Sequence, residues 1–366
     1  MSKHIVFGAL IALSVPAVAA AQQPAAGAAV ANDWKAANKA MGQALEAKDA
    51  KSAAGWAAAA LTRYRATGAP NKGVLANLAL NLADTSAATR DANVIRGTVA
   101  SLASVDAELA QAGRNGDRIP LLRAIGKLKQ ATGDNAGWKQ ALDQVVETTR
   151  ATFGPEHHQV AVALVERAVA AQAIDGIAAA QPILAQAEAI TAKLPENDLI
   201  RAVVDLSIAG HDLEANRPAE ASRRYEALMT RLDPAGAESR ALWWTASERL
   251  ARLHQALGQS AKADAIVATM IARTPNNSEV LPVILLSPDR SKAAGLDPKA
   301  TPSADVSFDI GPDGKPVNVK AKSDVPAYAT LADAAVKASR YIPIIKDGKP
   351  QPTPGQTVTY RDTGGQ

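Results

Sequence analysis

Six short breaks recur along this chain at nearly even intervals, and that repeat limits the fold more than any other feature. They fall at Asp49, Asp91, Asp134, Asp175, Arg217 and Gln259, about 42 residues apart, a period that implies stacked structural units. Each break closes one helical stretch and opens another. The flanking text is rich in Ala: AKDAKSAAGW, ATGDNAGWKQAL, AQAIDGIAAAQPIL, EANRPAEASRRYEAL and ALGQSAKADAIVA. The second break, TRDANVIRGTVASL, departs most from the pattern. A second set of breaks lies between these, at Gly68-Ala69-Pro70, Gly113 to Gly116, Gly154-Pro155, Pro195 and Asp233-Pro234. Pro inside a helix loses a hydrogen bond and clashes with the preceding turn, so these sites punctuate the array. Each unit then holds two antiparallel helices joined by short loops.

The apolar residues agree with that reading. They make up 47% of the chain, yet aromatics are only 4%, so much of the apolar content is Ala, which packs helices closely through thin interfaces. In Arg240 to Leu257, one stripe carries Leu242, Leu250, Leu253 and Leu257, near helical spacing. The next helix places Ala265, Ile266, Met270 and Ile271 on one side. A lone hairpin cannot bury both stripes, so neighbours must stack. Trp56 and Trp138 sit early in second helices and suit packing between repeats. Trp243 and Trp244 are adjacent, so at most one faces the core squarely. Trp244 is the candidate groove anchor, because Trp is favoured at binding hot spots.

The small residue opening each second helix resembles the tetratricopeptide repeat. Phe153-Gly154-Pro155-Glu156-His157 is similar to the G-P-[DE]-H motif of the longer repeats found in kinesin light chains. The usual aromatic signature positions hold mostly Ala or aliphatic residues. The resemblance covers residues 32–274 and implies an all-α solenoid of hairpins that offers a groove to peptide or protein partners.

Residues 1–21 read as a secretory signal peptide: Lys3, an apolar run from Ile5 to Val15, Pro16, then A-x-A patterns at Ala17-Val18-Ala19 and Ala19-Ala20-Ala21. The rival reading is a retained anchor. A span needs roughly 20 apolar residues, and this stretch is shorter and contains Gly8, Ser14 and Pro16. Residues 22–31 form a flexible leader. The expected location is the periplasm, with peripheral membrane association open to it; a retained leader would instead anchor the chain in the inner membrane. The net charge is +4, from 40 basic and 36 acidic residues with interspersed signs. Nucleic-acid binding is not expected, since an even spread cannot focus phosphate attraction. Cys is absent, which excludes disulfides and thiolate chemistry.

Composition shifts near Pro275. Residues 275–303 read as a connector with an apolar stretch from Val280 to Leu286. From Ala304 the pattern becomes two-fold: Val306, Phe308 and Ile310 alternate with Asp305, Ser307 and Asp309. Gly311-Pro312-Asp313-Gly314 is a turn by residue chemistry. Val317 and Val319 begin a partner strand, Ala327 to Arg340 is a helix that also puts Tyr341 on its apolar face, and Val358 and Tyr360 mark a last strand. This β–β–α–β order over residues 304–366 predicts a small α+β module hanging off the end of the array.

With VSFDIGPDGKPVNVKAKSD, LADAAVKASRYIP and KDGKPQPTPGQTVTYRD, the module resembles the C-terminal domain of TonB. Arg340-Tyr341-x-Pro343 matches that family's R-Y-x-P; Ser339 stands where the family has Trp, and the upstream Y-P box is missing or degenerate. The resemblance implies capture of extended segments of outer-membrane transporters by strand addition. The candidate edge is Thr357, Val358, Thr359, Tyr360 and Arg361, where unpaired N–H and C=O groups would meet a peptide.

Nothing in the chain points to catalysis. His157 and His158 are adjacent and cannot share a metal as an i, i+4 pair can; His211 and His254 are isolated. No nucleophile elbow, zincin or phosphate-loop pattern occurs. The expectation is therefore a non-catalytic envelope adaptor that needs no cofactor or metal. The alternative is a TonB-type energy transducer, which would require residues 1–21 to be retained; the long Pro-rich spacer of such proteins is absent.

Overall fold

The computed structural model describes residues 33–68, 70–276, 279–288 and 301–361; the leader, 1–21 with 22–31, lies outside them. The chain divides into two compact units after Thr89. The first holds α1 (Trp34–Glu46), α2 (Ala50–Arg65) and α3 (Lys72–Thr89). Its core is Ala53, Ala57, Ala60 and Leu61 of α2 against Leu75, Ala79 and Leu82 of α3. Small Cβ surfaces let these helices approach closely. Tyr64 pins the α2–α3 loop by accepting the Asn71 N–H at 2.8 Å.

The second unit runs through α4 (Ala92–Gln111), α5 (Asn115–Ala131), α6 (Asn135–Phe153), α7 (His158–Asp175), α8 (Ile177–Thr191), α9 (Leu199–Glu214), α10 (Pro218–Arg231), α11 (Ser239–Ala256) and α12 (Ser260–Ala272). Five of the six sequence breaks fall between a first and a second helix, and Asp175 is the last residue of α7. Asp49, Asp91 and Asp134 are N-caps whose carboxylates accept backbone N–H groups of the next turn, satisfying donors that the helix leaves unpaired.

The same residues also close the preceding helix. Asp49, Asp134, Arg217 and Gln259 donate their N–H to Ala44, Lys129, Asp212 and His254 carbonyls at 2.7–2.9 Å. This is the six-to-one bond of the Schellman motif. It requires a left-handed residue just before the cap, and Lys48, Gly133, Asn216 and Gly258 hold it, with φ of 58°, 76°, 57° and 73°. A Lys in that region strains against its own carbonyl by about 1 kcal/mol or more. Lys48→Gly is therefore expected to stabilise the first unit by about 0.5–1 kcal/mol, net of the added freedom of the unfolded chain. A rise in the urea midpoint would show it; an unchanged midpoint would mean the turn stores no strain.

Side-chain bridges join residues 36 to 43 positions apart. Arg123 on α5 pairs with Glu166 on α7 at 2.8 Å, 43 residues away. Gln172 on α7 bonds Glu214 and His211 on α9. Arg224 on α10 pairs with Glu188 on α8 at 2.7 Å, 36 residues away. Within the second unit, first helices thus neighbour first helices, and second neighbour second. Two Pro residues break the expectation that Pro is confined to loops: Pro120 and Pro182 sit inside α5 and α8. Each stands one turn past the helix start, where its missing N–H forgoes one backbone bond of the second turn.

The last part contains β1 (Leu281–Ile284), β2 (Ser303–Ile310), β3 (Pro316–Lys322), α13 (Pro326–Ala338), β4 (Arg340–Ile342), β5 (Ile345–Lys346), β6 (Lys349–Pro350) and β7 (Thr353–Arg361). The expected β–β–α–β elements are present as β2, β3, α13 and β7, in an antiparallel sheet of order β3-β2-β7. Three features differ from the sequence expectation. The connector 275–303 contains β1, which pairs antiparallel with β4. The helix ends at Ala338, so Arg340 and Tyr341 are strand residues. And the module is no loose appendage. Val283, Ile284, Ile342 and Ile345 share one core with Trp243 and Leu250 of α11 and Val267, Met270 and Ile271 of α12. Arg252 of α11 donates to the Val283 carbonyl at 3.0 Å.

Candidate protein-docking site

β2 is the central strand of the three-stranded sheet. Ala304, Val306, Phe308 and Ile310 are buried against Tyr328, Ala332 and Val336 of α13, while Ser303, Asp305 and Ser307 face out. This is the two-fold alternation expected of a sheet with one wet face. β7 runs beside β2 from Ser303↔Arg361 to Ile310↔Thr353. It pairs with β2 alone among the described residues, so its far side is a sheet edge. Thr357, Thr359 and Arg361 are exposed; Val358 and Tyr360 are half-buried on the core side. The five sequence-predicted edge residues therefore lie together on one open strand.

Several bonds hold that strand firm. Thr359 donates its hydroxyl to Asp305 at 2.7 Å. Tyr360 donates to the Leu286 carbonyl at 2.9 Å. Gly355 N–H and Asn318 Nδ2 both donate to the Asp309 carboxylate, at 2.9 and 2.8 Å; the Asn318 bond, then the Gly355 bond, holds that carboxyl below its usual value. Burial, with the neighbouring Tyr360 adding to it, pushes the Tyr341 hydroxyl up to about 12, so it stays neutral. A preformed, fixed edge loses less freedom on binding than a mobile one.

The module is oriented by the last hairpin. Arg340 is buried, donates to Asp264 of α12 at 2.6 Å and also to the Lys337 and Ser339 carbonyls. Lys315 reaches the same carboxylate at 2.9 Å. Burial works to raise the Asp264 carboxyl, but hydrogen bonds from Arg340 and Lys315 outweigh it and hold it below the ordinary carboxylate value. Ser339 ends α13 in extended backbone, and its hydroxyl accepts the Leu286 N–H at 3.1 Å. Sequence reasoning gave Ser339 no role and missed Asp264. No short-range pattern marks either, because their partners are distant in the chain.

Trp244, the other predicted binding residue, belongs elsewhere. It sits on α11, half-buried against the helical core, with Trp243 buried beside it. The structure does not bring it together with β7. Among the histidines, His157 caps α7 and stacks on Phe153. His211 is buried, and burial, then Arg217, lowers its pKa against the pull of Asp212. No group of three or more potential metal ligands occurs among the described residues. No described helix is long and apolar enough to cross a membrane.

The described residues thus define a protein built on helical-hairpin repeats, with a small antiparallel sheet region packed onto its last hairpin. No family model matches the sequence, and no curated protein matches it. Among solved structures, BtubC from P. vanneervenii is 15% identical over 69% of this chain and 96% of its own, with a TM-score of 0.45. A putative kinesin light chain from Podosopora anserina, with nearly identical TPR-like repeats, is 22% identical over 56% of this chain and 96% of its own, at 0.43. A tetratricopeptide repeat protein from Parabacteroides merdae is 16% identical over 67% and 81%, at 0.43.

Proposed function

We propose that this chain is a non-catalytic, protein-binding adaptor of the cell envelope. The hairpin array is its scaffold, and the terminal module docks an extended partner segment along β7, as the resemblance to the TonB C-terminal domain implies. The observation that carries this reading is the open edge of β7, firmly paired to β2 on its other side. Such an edge offers a regular row of N–H and C=O groups, and main-chain pairing with an extended segment gives affinity with little sequence demand. Peptides from outer-membrane transporters are the partner class. The periplasmic location rests on the leader sequence, and N-terminal sequencing of the mature protein tests it: a start near Ala20 or Gln22 removes the anchor that energy transduction would need.

Docking is tested by placing a photo-crosslinking residue at Thr357 or Thr359, both exposed, and adding short synthetic peptides from the N-terminal segments of such transporters. Crosslinks are expected at these positions and not at Lys320, on the opposite edge strand β3. Hydrogen exchange across Thr357 to Arg361 should slow in parallel. Equal labelling at Lys320, or unchanged exchange, would count against strand addition.

A further inference from the structure

β3 and β7 each pair with β2 alone among the described residues, but only β3 is defended. It begins with Pro316 and exposes Lys320 and Lys322. It also bulges where its register with β2 slips between Ser307 and Asp309, around Asn318 with φ of 52°. Pro, Lys and bulges are the devices by which edge strands avoid joining other chains. β7 has none of them from Gln356 to Arg361. Its pairing with Ser303 to Phe308 runs without a slip there, Pro354 and Gly355 come before it, and Arg361 is its one charge.

An undefended edge is a template for an identical strand. Two antiparallel copies related by a two-fold axis normal to the sheet keep their faces aligned, so the axis passes through a residue. The charges select which one. Among the described residues, Arg361 is bonded to no carboxylate and Asp309 to no Lys or Arg. The Asp309 carboxylate accepts from Asn318 at 2.8 Å and from the Gly355 N–H at 2.9 Å, bonds that keep it ionised. An axis at Val358 sets Arg361 of each copy opposite Gly355 of the other. A Cβ at Gly355 would meet nothing within 4 Å, so an Arg side chain has open space to cross. Asp309 then lies two strand spacings away, roughly 10 Å between Cα atoms, within the joint reach of the two side chains. An axis at Thr359 instead sets Arg361 opposite Thr357 and beside Ser307, and one at Thr357 sets it opposite the buried Thr353.

We propose that this chain forms a two-fold dimer by antiparallel pairing of β7 with β7 of a second copy, in the register centred on Val358 and locked by two Arg361–Asp309 ion pairs. Thr357 then faces Thr359 of the second copy, a favourable cross-strand pair. An interface of about seven residues a side is small, so association is expected at roughly 10–100 μM. The dimer covers the edge that a partner segment needs and keeps it shut until the copies separate. That regulatory consequence rests on docking at β7; the dimer itself does not.

The chain has no Cys, so introduced thiols report the register. Thr357→Cys and Thr359→Cys change exposed positions. Mixed, they are expected to form a disulfide several-fold faster than either chain alone, because only the mixture sets two thiols directly opposite. Arg361→Glu should weaken association of the whole chain about ten-fold in sedimentation velocity, by placing Glu against Asp309, and wild-type association should weaken as salt rises. A wild-type monomer at about 500 μM, equal disulfide rates in mixed and single chains, or unchanged association of Arg361→Glu overturns the proposal. Photo-crosslinking of transporter peptides at Thr357, repeated in the Arg361→Glu chain, separates the two readings. Its absence there tells against docking and leaves the disulfide pattern standing, whereas failure of the dimer leaves peptide crosslinking intact.

Discussion

Trp243→Ala is expected to lower the unfolding free energy of the second unit by about 3–5 kcal/mol. The ring is 3% exposed and shares its core with Tyr225, Leu228, Leu250 and Met270. Truncation removes a large apolar contact area and leaves a cavity that rigid helices cannot fill. It also strips the part-buried Met229 carbonyl of the ring N–H that reaches it at 3.1 Å, and the lost bond adds to the cost. Trp244→Ala is the control. That ring is half-buried, so about 1–2 kcal/mol is expected from the apolar area it covers. Urea denaturation of the two variants separates them. Because β1 and β4 use the same core, Trp243→Ala should also speed hydrogen exchange in Leu281–Ile284 and Arg340–Ile342. Equal losses for the two variants would mean that the wrong ring has been assigned to the interior.

Gly314→Val is expected to cost roughly 2–5 kcal/mol, combining backbone strain with overpacking. Gly314 has φ of 77°, a region that β-branched residues avoid. A Cβ there would lie 2.2 Å from the Tyr341 carbonyl oxygen and 3.2 Å from Ile271 of α12. The carbonyl cannot give way easily, since Tyr341 is paired in β4 and its own N–H donates to Gly314. The turn would be forced off the hairpin, taking Lys315 away from Asp264 and loosening Arg340 there. Gly355→Ala isolates the strain: its φ is 75°, yet nothing lies within 4 Å of the new Cβ, so about 1–2 kcal/mol is expected. If Gly314→Val costs no more than Gly355→Ala, the close approach of the turn to β4 is not real in solution.

Both predictions concern the join between array and module, and that join shows where reading the chain stops. The hairpin phase is legible because the turn is local. A left-handed residue and a capping Asp settle both helix ends within a few positions, as at Lys48-Asp49 and Gly133-Asp134. The β2–β3 hairpin is legible for the same reason: strict alternation in β2 flanks a turn written in Gly, Pro and Asp.

The sequence by itself therefore determined the spacing of the hairpins and the succession of β2, β3, α13 and β7. Tertiary structure decided which of two adjacent Trp rings is buried, that Leu281–Ile284 becomes a strand, and that α13 stops at Ala338. It also decided that Ala141 is buried against α5 while Ala103 is exposed. The reason is range. Caps and alternation are set by neighbouring residues, whereas a strand without a turn to its partner, or a cavity between helices, exists only once distant parts of the chain have met.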